Sequence, residues 1–270
     1  MRFFFKDYII VSAHEHLRVS SDLQLPHFYC KRVSTKRIDN AMYILQGNVD
    51  GTKMTTSSLN CILSAYASNG LVDKAFAVYD NFTELEIPPN DDTYAYLMES
   101  LSADATTIVP QNGNHLAGDW DTDGDSIPDV PINGDDYEEW KTSRLVAADV
   151  ILLTMEDHGF QRNSHIVHEY VRLLCAFGEM EKAKEYIVQI IEGNERGTEG
   201  TMILLETFVV LANAFGLNRN IKSAFQTAFL SKRVGYKHGI PRYAMNRLRQ
   251  LEAKSKQDTG IKSLQKDDGN

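Results

Sequence analysis

The sequence predicts an all-α solenoid of helix-turn-helix hairpins, broken by one acidic loop and followed by a basic tail. Three observations carry that prediction: a hydrophobic pattern that returns about every 35 residues, glycines where one helix must turn into the next, and a segregation of charge along the chain.

The recurrence is read from five segments, in which Ile38, Val72, Leu145, Met180 and Ile221 each stand three residues before an alanine. These alanines, Ala41, Ala75, Ala148, Ala183 and Ala224, are 34, 73, 35 and 41 residues apart. The long interval equals one repeat plus an insertion of about 39 residues. Each alanine is followed at three and four places by a further pair: Ile44 and Leu45, Val78 and Tyr79, Ile151 and Leu152, Tyr186 and Ile187, Thr227 and Ala228. That spacing aligns one stripe on a helix, with the small alanine where another helix comes close. The stripe is therefore the second helix of a hairpin.

A first helix precedes it in three places, over 58–69, 165–177 and 202–215, closed by Gly70, Gly178 and Gly216. A glycine just past a helix end supplies the left-handed residue the turn needs. Residues 22–230 are thus expected to be hairpins that bury their faces only against their neighbours. Residues 1–21 form a leading segment, 103–142 an acidic insertion within one repeat, and 231–270 a basic tail expected to be disordered beyond Lys256.

Composition excludes several classes. No apolar run approaches the roughly 20 residues of a membrane span, so no membrane partner is expected. Cys30, Cys61 and Cys175 stand far apart without a C-x-x-C pair, which disfavours a disulfide framework or zinc knuckle and suits a reducing compartment. The start has neither a secretory core nor an Arg- and Ser-rich leader, so an import signal is not visible and Met1 is expected to be either the native start or the product of lost upstream sequence. The net charge of −9 is local: residues 104–139 hold ten acidic residues and no Lys or Arg, leaving 27 acidic against 28 basic elsewhere. Residues 231–270 hold ten basic and four acidic residues. The chain can therefore meet partners of opposite sign at different places.

The acidic insertion carries the sharpest chemical pattern. Asp119, Asp121, Asp123, Asp125 and Asp129 alternate around Gly124, similar to the calcium loops of thrombospondin type 3 repeats, whose alternate oxygens converge on a hard cation. The twelfth position of an EF-hand would be glutamate and is Val130, so the expectation is a solvated loop with weak or no Ca²⁺ binding and otherwise no cofactor. Flanking Asn112-Gly113 and Asn133-Gly134 read as turns, and Trp120, Tyr137 and Trp140 as docking aromatics. In the tail, Lys232, Arg233, Lys237, Arg242, Arg247 and Arg249 interleave with Tyr236 and Tyr243 as candidate phosphate contacts, and a helix would set Arg242, Arg249 and Lys256 a heptad apart. His165, His168 and Glu169, and His14, Glu15 and His16, lack the H-E-x-x-H spacing and a third ligand, which argues against a metal site. No Walker loop, G-x-S-x-G or G-x-G-x-x-G occurs, and no catalytic residues are assigned.

The unit that opens Ser58-Leu59-Asn60-Cys61, closes Ile87-Pro88-Pro89-Asn90 and reopens Asp92-Thr93-Tyr94 resembles the pentatricopeptide repeat, as does residues 146–163 followed by Ser164-His165-Ile166. The Trp, Gly and Tyr pattern of a tetratricopeptide first helix is missing. The resemblance implies an organellar protein that associates with RNA, in which the fifth residue of a first helix and the last residue of the repeat read one base. Carried onto this chain, the pairs are Asn60 with Asn90, Ala95 with Asn163, and His168 with Thr198, of which only the first is similar to a pyrimidine-reading pair. So few readable positions do not provide a long sequence-specific contact. Short members of the family with decayed code positions serve as parts of larger RNA machines, notably plant-type mitochondrial ribosomes. The resemblance therefore implies a non-enzymatic scaffold partnered by rRNA and neighbouring proteins in the mitochondrial matrix. The alternatives are a chloroplast location, a free RNA-processing or translation factor, and a calcium-regulated adaptor; no small-molecule substrate is expected.

Overall fold

A computed structural model describes residues 54–108, 134–197 and 200–267. Every regular element among them is a helix: α1 (Thr56–Ala67), α2 (Val72–Glu84), α3 (Asp91–Ile108), α4 (Gly134–Asp157), α5 (Ser164–Ala176), α6 (Met180–Arg196), α7 (Leu205–Leu217), α8 (Ile221–Arg233) and α9 (Arg242–Asp267). None is long and apolar enough to cross a membrane. The chain divides into two compact units, Met1–Asp104 and Ala105–Asn270.

In the first unit, Thr55 starts α1 with a reciprocal cap: its hydroxyl accepts from the Ser58 amide at 3.3 Å, and Ser58 Oγ accepts from the Thr55 amide at 2.9 Å. Leu59, Ile62, Leu63, Tyr66 and Ala67 bury one face of α1 against Val72, Ala75, Val78 and Phe82 of α2. Each such aliphatic or aromatic side chain removed from water contributes about 1.5–3 kcal/mol. The turn between them closes when the Leu71 amide donates to the Tyr66 carbonyl at 3.1 Å, with Gly70 left-handed at φ 68°.

In the second unit α5 and α7 lie side by side as first helices, α6 and α8 follow them as second helices, and α4 precedes α5 and packs on it. The predicted alanine positions are the close approaches: Ala75, Ala148, Ala183 and Ala224 are fully buried, while Ala41 falls outside the described residues. Polar side chains one repeat apart join the second helices. Lys184 Nζ donates to Gln226 Oε1 at 3.0 Å, and Arg233 holds Glu195 through two bonds of 2.8 and 2.7 Å.

Four sequence expectations are corrected. Gly216 does not end α7; it lies inside the helix, and the left-handed residue is Arg219 at φ 61°, where the Asn220 amide reaches the Phe215 carbonyl at 3.0 Å. The same helix starts at Leu205 and not at 202, because Met202 is exposed and Ile203 is buried in the segment leading in. Residues 103–108 and 134–142, assigned to the acidic insertion, belong to α3 and α4. Gly134 is thus a helix start and not a turn, and Trp140 on α4 stacks edge-on to Phe177 at 5.3 Å while Lys141 reaches Glu179 at 2.7 Å. The tail is helical through Asp267: Ala244, Leu248 and Leu251 seat α9 on α7 and α8, and Gln, Lys and Leu beyond Lys256 are good helix formers that extend it. Residues 268–270 fall outside the described residues.

Candidate functional site

The candidate base-reading positions are set by helix starts. Because Thr55 fixes the first turn of α1, Asn60 is its fifth residue and is held 93% out of solvent. Asn90 precedes α3 and caps it, its Oδ1 accepting from the Thr93 amide at 3.1 Å while the Asn90 amide donates to Thr93 Oγ1 at 3.1 Å. Between the two asparagines lies a closed set of bonds. Asn60 Nδ2 donates to Asn90 Oδ1 at 2.8 Å, and the Thr93 hydroxyl donates to Asn60 Oδ1 at 2.8 Å. A side chain can read a base edge only with donors and acceptors turned toward it. Both amide atoms of Asn60 are turned inward, onto the next hairpin.

The same device recurs in the second unit. His168 is the fifth residue of α5, is buried, and has its Nδ1 3.0 Å from Thr207 Oγ1. Thr207 is the third residue of α7, as Thr93 is the third of α3. At the intervening repeat the fifth residue is Ala95, fully buried and without a polar atom. Asn163 acts as the α5 cap, its Oδ1 accepting from the Ile166 amide at 2.9 Å. The structure therefore brings Asn60 and Asn90 into contact, places Ala95 and Asn163 in different compact units, and leaves Thr198 outside the described residues. Thr93 and Thr207 were missed by sequence reasoning, although a threonine at the third place of the following first helix was the available signal.

Asn60→Ala is expected to lower the stability of the first unit by about 1–3 kcal/mol, because Thr93 and Asn90 each lose a partner in a buried setting. A double-mutant cycle with Thr93→Val, read by urea unfolding, should show clear coupling; additivity within about 0.5 kcal/mol would mean that the latch contributes nothing.

The candidate phosphate contacts divide. Arg233 is not available: its guanidinium grips Glu195 bidentately, which holds that carboxyl below its ordinary value and raises Arg233. Lys232 lies over the Phe229 ring at 5.5 Å. Lys237, Arg242, Arg247 and Arg249 are exposed and, among the described residues, form no ion pair. The acidic loop residues Asp119, Asp121, Asp123, Asp125 and Asp129, along with His14, Glu15, His16 and Cys30, fall outside the described residues. His165, His168 and Glu169 do not converge on a metal: Glu169 takes Arg172 at 2.7 Å, and no group of three potential ligands occurs among the described residues. Burial pushes the Cys175 thiol up to about 12 and raises Cys61, so both are neutral packing groups.

The PPR repeat family matches residues 54–103, the span of α1, α2 and most of α3. The fold is similar to the PPR domain of Arabidopsis thaliana protein-only RNase P 1, crystallised with tRNA, at 11% identity and TM-score 0.53 over 80% of this chain and 91% of that one. It is similar too to the pentatricopeptide repeat protein PPR10 in complex with an 18-nt psaJ RNA element, at 18% identity and TM-score 0.53 over 85% of this chain. The chain spans only 28% of that PPR10 chain. No curated protein sequence matches. The family's repeat is thus matched at residues 54–103, and the helices that follow share the fold of solved pentatricopeptide repeat structures.

Proposed function

We propose that the protein is a non-enzymatic, RNA-associated scaffold, built into an organellar ribonucleoprotein of which the mitochondrial ribosome is the favoured case. One observation carries the reading: Asn60, the fifth-position residue of the family-matched repeat, spends its amide on Asn90 and Thr93. A repeat whose reading residues stiffen the junction between hairpins is suited to hold a shape, and a rigid array of such junctions offers flat helical layers to rRNA and neighbouring proteins. RNA association is supported by the two related PPR structures, both of which were crystallised with RNA. The RNase relative matches through its PPR domain, so its likeness carries no catalytic step to this chain. The mitochondrial matrix is the proposed compartment, with the chloroplast as the alternative.

A second reading, a free RNA factor, is favoured by the half-buried Asn90, which stands at the rim of the Asn60 site. Gradient sedimentation of tagged protein from an organelle lysate, with and without magnesium depletion, separates the two. Co-migration with a ribosomal subunit that survives moderate salt is the scaffold result. Migration as a small free species would overturn it.

A further inference from the structure

The helix α9 takes the place that a further first helix would occupy, lying on both α7 and α8. Its inward face is Ala244, Leu248 and Leu251, and the last two press on Gly216, where an added Cβ would stand 2.9 Å from Leu251 Cδ1 and 3.0 Å from Leu248 Cδ2. In a continuing array the outward face would be apolar, to receive the next hairpin. Here it is not. Arg242, Asn246, Arg247, Arg249, Gln250, Lys254 and Lys256 are all exposed, and the one large apolar body among them is Tyr243, at 70% exposure.

At about 100° per residue the charges fall into two stripes. Arg242, Arg249 and Lys256 make one; Arg247 and Lys254, with Tyr243 beside them, make the other. The ridge between is Asn246, Gln250 and Ala253, uncharged, with the two amides able to hydrogen-bond. Lys237, in the connection before α9, adds a further exposed cation. Glu252 is taken up by Lys256 at 2.6 Å. Five cations thus remain without an ion pair among the described residues: Lys237, Arg242, Arg247, Arg249 and Lys254. Like charges this close on a helix repel each other unless something anionic lies across them.

The chemistry of the face selects among anionic partners. A protein docking site would present an apolar, lysine-poor centre inside a polar rim, and α9 presents an amide ridge between cations. A phosphate backbone needs no apolar centre. Guanidinium forks bind phosphate oxygens bidentately, the amides reach sugar and phosphate oxygens, and the exposed Tyr243 ring offers a stacking platform.

We infer that the outward face of α9, with Lys237, is a sequence-independent docking surface for the phosphate backbone of RNA. The chain's contact with RNA then runs through its capping helix and not through its fifth-position residues. This rests on the RNA-associated reading above but not on membership of a ribosome.

The test is a salt titration of binding by the full chain to a roughly 20-nucleotide labelled oligouridylate, between about 50 and about 200 mM salt. With five phosphates neutralised, the logarithm of the affinity should fall against the logarithm of salt with a slope of about −3.5. The variant R242Q/R247Q/R249Q/K254Q keeps good helix formers on an exposed face, and it should flatten that slope by about 2.8 and weaken binding at least about tenfold at 100 mM. If the quadruple variant loses helicity, the half-variants R242Q/R249Q and R247Q/K254Q each should flatten the slope by about 1.4. N60A should leave it unchanged. The inference is overturned by an unaltered slope in these variants, by an equal loss in N60A, or by wild-type protein that binds polyglutamate but not the RNA. Its failure leaves the sedimentation result standing, and a free-sedimenting protein leaves the salt result standing.

Discussion

Phe208→Ala should lower the stability of the second unit by about 3–5 kcal/mol. Phe208 sits in α7, the helix on which α5, α6, α8 and α9 all pack, and its side chain is fully buried. Its ring meets Tyr236 nearly edge to face, with centroids 6.4 Å apart, and the Tyr236 hydroxyl donates to the Ile203 carbonyl at 2.9 Å. That pair clamps the segment leaving α8 onto the segment entering α7. Truncation removes the ring's transfer free energy and leaves a void that hairpins with fixed turns collapse into poorly. Phe208→Leu keeps most of the volume and should cost less than about 1.5 kcal/mol. Native-state hydrogen exchange on the α7 amides, set beside urea unfolding, measures both. An alanine variant within about 1 kcal/mol of the parent would show that α7 is not the keystone of the unit.

Gly70→Ala should be the most damaging of the turn substitutions, at roughly 2–4 kcal/mol. Two separate penalties meet there. The residue is left-handed at φ 68°, which disfavours any side chain. A new Cβ would also stand 3.0 Å from the Asp104 amide nitrogen and 3.1 Å from its Cα, which are backbone atoms of α3 that have no rotamer to escape into. Gly178 separates the two effects, since it has φ 78° and nothing within 4 Å of an added Cβ. Gly178→Ala should therefore cost only about 1 kcal/mol, the conformational part. Equal losses for the two variants, compared by thermal unfolding, would mean that the close approach of α3 at Gly70 contributes nothing.

The latch between Asn60, Asn90 and Thr93 bears on evolution of function at the repeat. A fifth-position amide is suited to base reading only while its partners let it turn outward. Thr93 and Asn90 supply two bonds that favour the inward arrangement, and Thr207 does the same for His168. Conferring base selectivity would therefore call for changes at the partner positions as well as at the fifth position, and the double-mutant cycle at Asn60 and Thr93 probes the strength of that constraint.

What the sequence by itself determined is whatever depends on local spacing. Alanines at the crossing points, apolar stripes three and four residues apart, and left-handed glycines at 70 and 178 are each decided within one turn or one hairpin, so the hairpins and their period were legible without coordinates. The tertiary structure decided what depends on superposing one repeat on the next. Arg233 reads as a free cation until α8 is laid beside α6 and Glu195, 38 residues away, comes to 2.7 Å. Gly216 reads as a helix end until Leu248 and Leu251 of α9 require a surface without a Cβ. The tail reads as frayed until Ala244 and Leu248 find α7 and α8 to rest on. Asn60 reads as a base contact until Thr93 arrives from the following hairpin. In each case the competing energies are similar in size within one segment, and the neighbouring repeat, which the local pattern does not specify, tips the balance.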